Sequence, residues 1–277
     1  MRTWCGIGVL ACAIGTGCGG AASSAPAGAG SGTAGSSSAS CQPGAELTGG
    51  TYDVSKSKFA FGSPPTREDS ALGTRYVGKD GAMLVSPNGS VIAILNGGAP
   101  EASLPGLPGD EASATQHAKD YLATMGVDPC QIQSVVMLGG GSGGGPTGSP
   151  GTMTSTFSTA SANRAIDSIM VAQSLANAEF KAGDVTVMES FYWPTIPADV
   201  VTKARAFRDR LKDPTELAAY RAKLPAGAQG DGQVVIAHTG SLSSGPFRAM
   251  AVWYVLVGGS SGSNQPFDEN GAPAGQF

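Results

Sequence analysis

Histidine is nearly missing from this 277-residue chain: only His117 and His238 occur. Neither has another His, Cys or Glu at metal-ligand spacing, so no metal centre and no cofactor are expected. A serine nucleophile would likewise have to find a lysine or another base, and no S-x-x-K opens an ordered helix. Charge is also scarce. Asp, Glu, Lys and Arg make up 14% of residues, with a net charge of -4 and a pI of about 5.2, which gives no electrostatic reason to expect nucleic acid. Aromatics amount to 6% against 42 glycines, so the packed part is shorter than the length suggests. The uncharged run WCGIGVLACAIGTG after Arg2 is too short to span a bilayer but matches a signal-peptide h-region.

That run ends at Cys18. Ile14-Gly15-Thr16-Gly17-Cys18 resembles a bacterial lipobox, with a small residue before the cysteine and Gly15 where leucine is commonest. The expectation is a signal peptide over 1–18 with lipid on Cys18; plain signal cleavage and a cytoplasmic start are the alternatives. Residues 19–44 begin GGAASSAPAGAGSGTAGSSSAS and hold almost nothing to bury, so they read as a disordered tether. Such a coil spans roughly 25 Å on average. This places the protein in the bacterial cell envelope, membrane-held on the periplasmic side or at the outer membrane. With Cys18 acylated, Cys41 and Cys130 remain as a disulfide pair or as two reduced thiols.

The rest reads as α+β: an antiparallel sheet packed against one Ala-rich helix and a C-terminal helix pair. In TRYVGKDGAMLVSPNGSVIAIL, Asn88-Gly89 suits a positive-φ turn joining Met83–Val85 to Val91–Leu95. In DEASATQHAKDYLATMG, residues Ala114, Ala118, Tyr121, Leu122 and Met125 share a helical face over 112–125, with Gly126 as the stop. Strands follow at 131–138, in RAIDSIMVAQ, in SLANAEF and, after a KAGD turn, in VTVMESFYWP. Pro197 suits a helix start, and Val200, Ala204, Phe207 and Leu211 form one stripe. Asp213 and Glu216 then cap a second helix, completing a pair over 197–224. QVVIAHTG and FRAMAVWYVLVG supply the last strands. The expected organisation is a β-rich lobe over 45–111, an α+β lobe over 112–257 and a flexible tail over 258–277.

Residues 139–152, GGGSGGGPTGSPGT, read as a structureless loop or linker. They contain G-x-S-x-G around Ser142 and G-x-G-x-x-G at Gly139, Gly141 and Gly144. Both patterns need a helix after the loop, which this sequence does not supply, so they are read as accidents of composition.

Residues 112–192 resemble the PepSY and thermolysin-type propeptide modules of secreted bacterial proteins. Arg164, Ile166, Asp167, Ile169 and Val171 fit the family's Arg-x-hydrophobic-Asp-Gly pattern, and Gly183 with Val185 fits its second hairpin. Ser168 stands where that pattern has glycine, and Met170 where proline is common. The resemblance implies a noncatalytic role: binding or restraining a secreted peptidase, or serving as a periplasmic interaction module.

Three other features bear on function. Glu179 and Glu189, on strands expected to be adjacent, could form a carboxylate pair. Phe191-Tyr192-Trp193-Pro194 could stack on a sugar, though core packing is the simpler reading. The segment Lys203–Lys223 carries Lys203, Arg205, Arg208, Arg210, Lys212, Arg221 and Lys223 against Asp209, Asp213 and Glu216, a local charge of +4. It reads as a solvated helix face or as an anionic docking surface, with the first five cations as the partner-binding candidates. The sequence thus points to a noncatalytic envelope lipoprotein that binds a secreted or envelope protein. The alternatives are a carboxylate-dependent glycan hydrolase and a structural spacer.

Overall fold

A computed structural model describes residues 48–96, 107, 110–142, 154–241, 245–256 and 264–275. The chain is α+β. A meander of β1 (Thr66–Ser70), β2 (Gly73–Val77), β3 (Gly81–Val85) and β4 (Val91–Leu95) precedes helix α1 (Glu111–Thr124). Then come β5 (Ile132–Ser142), β6 (Thr154–Ile166), β7 (Ile169–Met170), β8 (Leu175–Ala182) and β9 (Val185–Tyr192). They form one antiparallel sheet in the order β1-β2-β3-β4-β9-β8-β6-β5, with β7 paired to β6. The Asn88-Gly89 turn forms between β3 and β4, and Gly89 has φ +80°.

This order corrects the expected division at residue 111. Val91 lies opposite Phe191 and Ile94 opposite Met188, so the N-terminal meander and the later strands share a sheet. They also share a core. Met83, Val91 and Ala93 pack in the same cluster as Ala118 and Leu122 of α1 and Phe180 of β8. A four-stranded meander with an exposed outer strand could not bury that surface alone.

Helix α1 follows from local chemistry. Asp110 caps its start, accepting from the Ser113 amide at 2.8 Å. Beyond the end, Gly126 N donates to Ala123 O and Val127 N to Leu122 O, both at 3.1 Å, closing a Schellman motif. The buried face is the one read from sequence: Ala114, Ala118, Tyr121 and Leu122, followed by Met125.

A second layer holds α2 (Ala198–Arg210), α3 (Pro214–Arg221) and a sheet of β10 (Gly232–His238), β11 (Ala249–Leu256) and β12 (Asn264–Phe267). Pro197 is the residue before α2, and Asp213 caps α3 through the Thr215 and Glu216 amides at 2.7 and 3.3 Å. Val200, Ala204, Phe207 and Leu211 face Ile236, Val255 and Phe267. Strand β12 corrects the expectation of a flexible tail for 264–275. Phe267, the one large apolar side chain described there, sits opposite Trp253 and is fully buried.

The β6–β7 hairpin ties the layers together by inserting Ile166, Ile169 and Val171 into the second core, where Val171 bridges Ile236. Asp167 and Ser168 turn the hairpin at φ +49° and +63°. Ser168 thus takes the left-handed backbone that glycine would take freely. The Gly-rich tract is also less irregular than expected, because Gly139–Ser142 extends β5 against Thr154–Phe157. Residues 143–153, including Gly144, lie outside the described residues. So do Cys18, Cys41 and the expected tether.

Candidate functional site

Among the described residues, Glu189 and Arg164 each form the heart of a buried polar centre. Glu189 points from β9 into the core, fully enclosed, with four hydroxyls around its carboxylate. Tyr121 from α1 and Thr186 from β9 donate to Oε1, the latter at 2.6 Å. Tyr52 and Ser57, from the segment preceding β1, donate to Oε2, the latter at 3.0 Å. Burial, reinforced by the Glu189 charge, pushes both tyrosine hydroxyls above their ordinary pKa, so they remain donors. The arrangement is a carboxylate saturated by donors, with Phe191 and Phe180 packed on Tyr52 and Tyr121. It fastens the N-terminal segment and α1 to the sheet.

The carboxylate pair does not form. The turn at Gly183 and Asp184 sets Ala178 opposite Glu189 and Glu179 opposite Met188, so the two glutamates leave the sheet on opposite faces. Nor do Phe191, Tyr192 and Trp193 make a sugar platform, since all three are buried. Strand alternation accounts for the glutamates and for Phe191, which lies in the core with α1 as Trp193 does, while Tyr192 on the other face is buried against His238 of β10.

The second polar centre joins the layers. Arg164 is buried beneath Trp193, 5.0 Å from its ring centre. It donates to Gln131 Oε1 (2.8 Å), Pro194 O (2.7 Å) and Ser174 Oγ (3.3 Å). Burial lowers its pKa to about 9, opposed by the charge of Asp128. His238 Nδ1 donates to Thr239 O at 2.8 Å, so Nε2 accepts from the Ser174 hydroxyl at 3.0 Å. Burial, helped by the Arg164 charge, drives His238 down to about 4. A serine–histidine pair is therefore present that no local motif announced, its members 64 residues apart. It serves as a strut between β10 and the start of β8.

The basic helix is less free than its charge implied. Lys203 pairs with Asp199 (3.5 Å), Arg205 with Asp167 (2.5 Å) and Lys212 with Asp209 (2.8 Å). Arg208 contacts Asp209 and donates to Asp167 O, and Arg210 lies on Phe207 and donates to Glu269 O. Arg221 is bound by Asp231. Counting Asp167, Asp199 and Asp231, the local charge falls from +4 to +1.

The face of the large sheet opposite α1 is different. Two cross-strand rows run over it. One places Leu84, Ile92, Ser190, Asn177, Ser161 and Val136 side by side. The next places Ala82, Ile94, Met188, Glu179, Thr159 and Leu138. Each row is apolar at both ends and polar in the middle, where Asn177 bonds Ser190 (3.0 Å) and Ser161 (2.7 Å). Beyond one end of these rows, Ser90 and Tyr192 on the same face are buried against Ser241 and His238, but no described element packs over the rows themselves, and Ile94 and Leu138 are 52% and 60% exposed. Partial burial raises the pKa of Glu179 in its centre. On the helix side, a cavity of about 470 Å³ is lined by Lys58, His117, Asp120, Tyr121 and Asp184, and His117 pairs with Asp184 at 2.9 Å.

Cys130 is disulfide-bonded and is the only cysteine among the described residues. No group of three His, Cys, Asp or Glu able to hold a metal occurs among the described residues, and no helix there is long and apolar enough to cross a membrane. Comparison with known proteins gives no match, whether to a family model, a curated protein or a solved structure.

Proposed function

We propose that this chain is a noncatalytic protein-binding module of the bacterial cell envelope, held to a membrane by lipid on Cys18 and docking its partner on the uncovered sheet face. The observation that carries the reading is that face: two rows of apolar side chains flanking a hydrogen-bonded polar centre, with no described element packed over them. An exposed apolar surface rimmed by polar groups is the usual form of a protein interface. The basic helix supports docking less well, because its cations already have partners. The PepSY resemblance makes a secreted peptidase the partner to test first. The sealed surroundings of Glu189 favour a structural carboxylate over the glycan-hydrolase alternative. A Cys41–Cys130 bridge would anchor the end of the tether beside α1.

The test is cross-linking in intact cells with the full-length protein, followed by capture and mass spectrometry. A reproducible envelope partner lost in Ile92→Lys/Ile94→Lys and kept in Lys203→Glu/Arg210→Glu is the expected result. A partner that survives the first pair and is lost in the second returns the docking site to the basic helix. Only abundant neighbours in every sample would leave the spacer role.

A further inference from the structure

The two edges of the large sheet are built in opposite ways. Strand β1 is five residues long, fully exposed, and carries Arg67, Glu68 and Asp69. A short charged outer strand is how natural sheets prevent edge-to-edge association. Strand β5 has none of these protections. It is eleven residues long, IQSVVMLGGGS, with no charge and no proline, and its only strand partner among the described residues is β6. Its outward amides and carbonyls lack a backbone partner there, and Val136 and Leu138 stand exposed beside them. Open backbone groups of this kind are satisfied by an added strand.

We infer that β5 is a self-association edge, and that a second copy of this chain pairs with it antiparallel about a two-fold axis near Val136. A strand without charge can lie against itself with no like-charge contact, which favours a second copy as the occupant. The register shifts at Ile132/Ser134 and Leu138/Gly139 leave Ser134–Leu138 as the regular stretch that forms the seam. With the axis perpendicular to the sheet, Val136 and Leu138 of both copies come together on the uncovered face. The protected β1 edges then lie outermost, so assembly stops at two copies rather than running into a fibre. A lipid tether would raise the local concentration and so lower the affinity the seam must supply.

The experiment uses the full-length protein in membranes and in detergent. Val136→Cys should give a covalent dimer under mild oxidation, while Glu68→Cys on the opposite edge should not. In analytical ultracentrifugation the wild type should be dimeric, and Val136→Lys should raise the dimer dissociation constant roughly tenfold or more. Leu138→Lys provides a second, less central charge, and unchanged thermal unfolding by circular dichroism shows that either variant still folds. A monomeric wild type without the Val136→Cys cross-link, or a dimer indifferent to both lysines, overturns the proposal.

Discussion

Tyr121 of α1 donates its hydroxyl to Glu189 of β9, 68 residues away, inside a core sealed from solvent. Tyr52 does the same from the other side, so one carboxylate holds a helix and the N-terminal segment to the sheet. Hydrogen bonds to a buried charge are worth more than neutral ones, and losing a donor leaves the charge under-solvated. Tyr121→Phe and Tyr52→Phe should each destabilise by about 1–3 kcal/mol, measured by urea unfolding. Because the two share an acceptor, the double variant should depart from additivity. Two small, additive losses would show that Glu189 does not join these elements.

His238 makes stability depend on pH in a definite direction. Its folded pKa is about 4 against an ordinary 6.5, because burial disfavours the imidazolium. Between those values the unfolded chain binds the proton and the folded one does not, so stability rises with pH across the window and is complete above 6.5. The full span amounts to about 3 kcal/mol. Glu179, whose pKa is raised by burial, contributes with the opposite sign. The His238 share is therefore read from the difference between wild type and His238→Gln: the variant's unfolding midpoint should change less between pH 7 and pH 4.

How much of this was legible depends on whether the signal was local. The α1 face, the Gly126 stop and the Asn88-Gly89 turn are set by neighbours within a few residues, and each could be read. Strand β1 could not be, because all five of its residues are exposed and no alternation marks them. Strand β12 was hidden by the low-complexity sequence around Phe267. The opposite facing of Glu179 and Glu189 was recoverable in principle: with Ala182 opposite Val185 across the turn, counting back places 178, not 179, across from 189. The partners of Glu189 and His238 come from distant segments, and no spacing rule brings Tyr52 to Glu189 or Ser174 to His238.

Arg164 tests the junction between the layers. Its planar fork reaches Gln131, Pro194 O and Ser174 together while stacking on Trp193. A lysine keeps the charge but cannot reproduce the fork or the stack. Arg164→Lys should cost about 3 kcal/mol, since it leaves a buried charge with too few acceptors. It should also shift Trp193 fluorescence, because that indole donates to the same Gln131 oxygen at 3.0 Å. Arg164→Met should be the milder change if desolvation of the charge dominates. Comparing the two by denaturant unfolding separates the cost of burying the cation from the worth of its contacts.

Gly126 gives the test with the fewest routes of escape. Its φ of +105° lies where side chains rarely go, so any residue with a Cβ is strained there. Space adds a second obstacle. A Cβ at this position would stand 2.2 Å from the carbonyl oxygen of Thr51, a backbone atom that cannot rotate aside. Thr51 adjoins Tyr52, so any displacement of that carbonyl also moves a donor of Glu189. Loss of a Schellman glycine alone would cost about 1 kcal/mol. Gly126→Ala should therefore exceed that figure, and the excess should shrink in a Tyr52→Phe background, where the carboxylate contact is already gone. An excess of the same size in both backgrounds would mean that the chain yields at Thr51 without disturbing Glu189, and that the end of α1 and the buried carboxylate are independent.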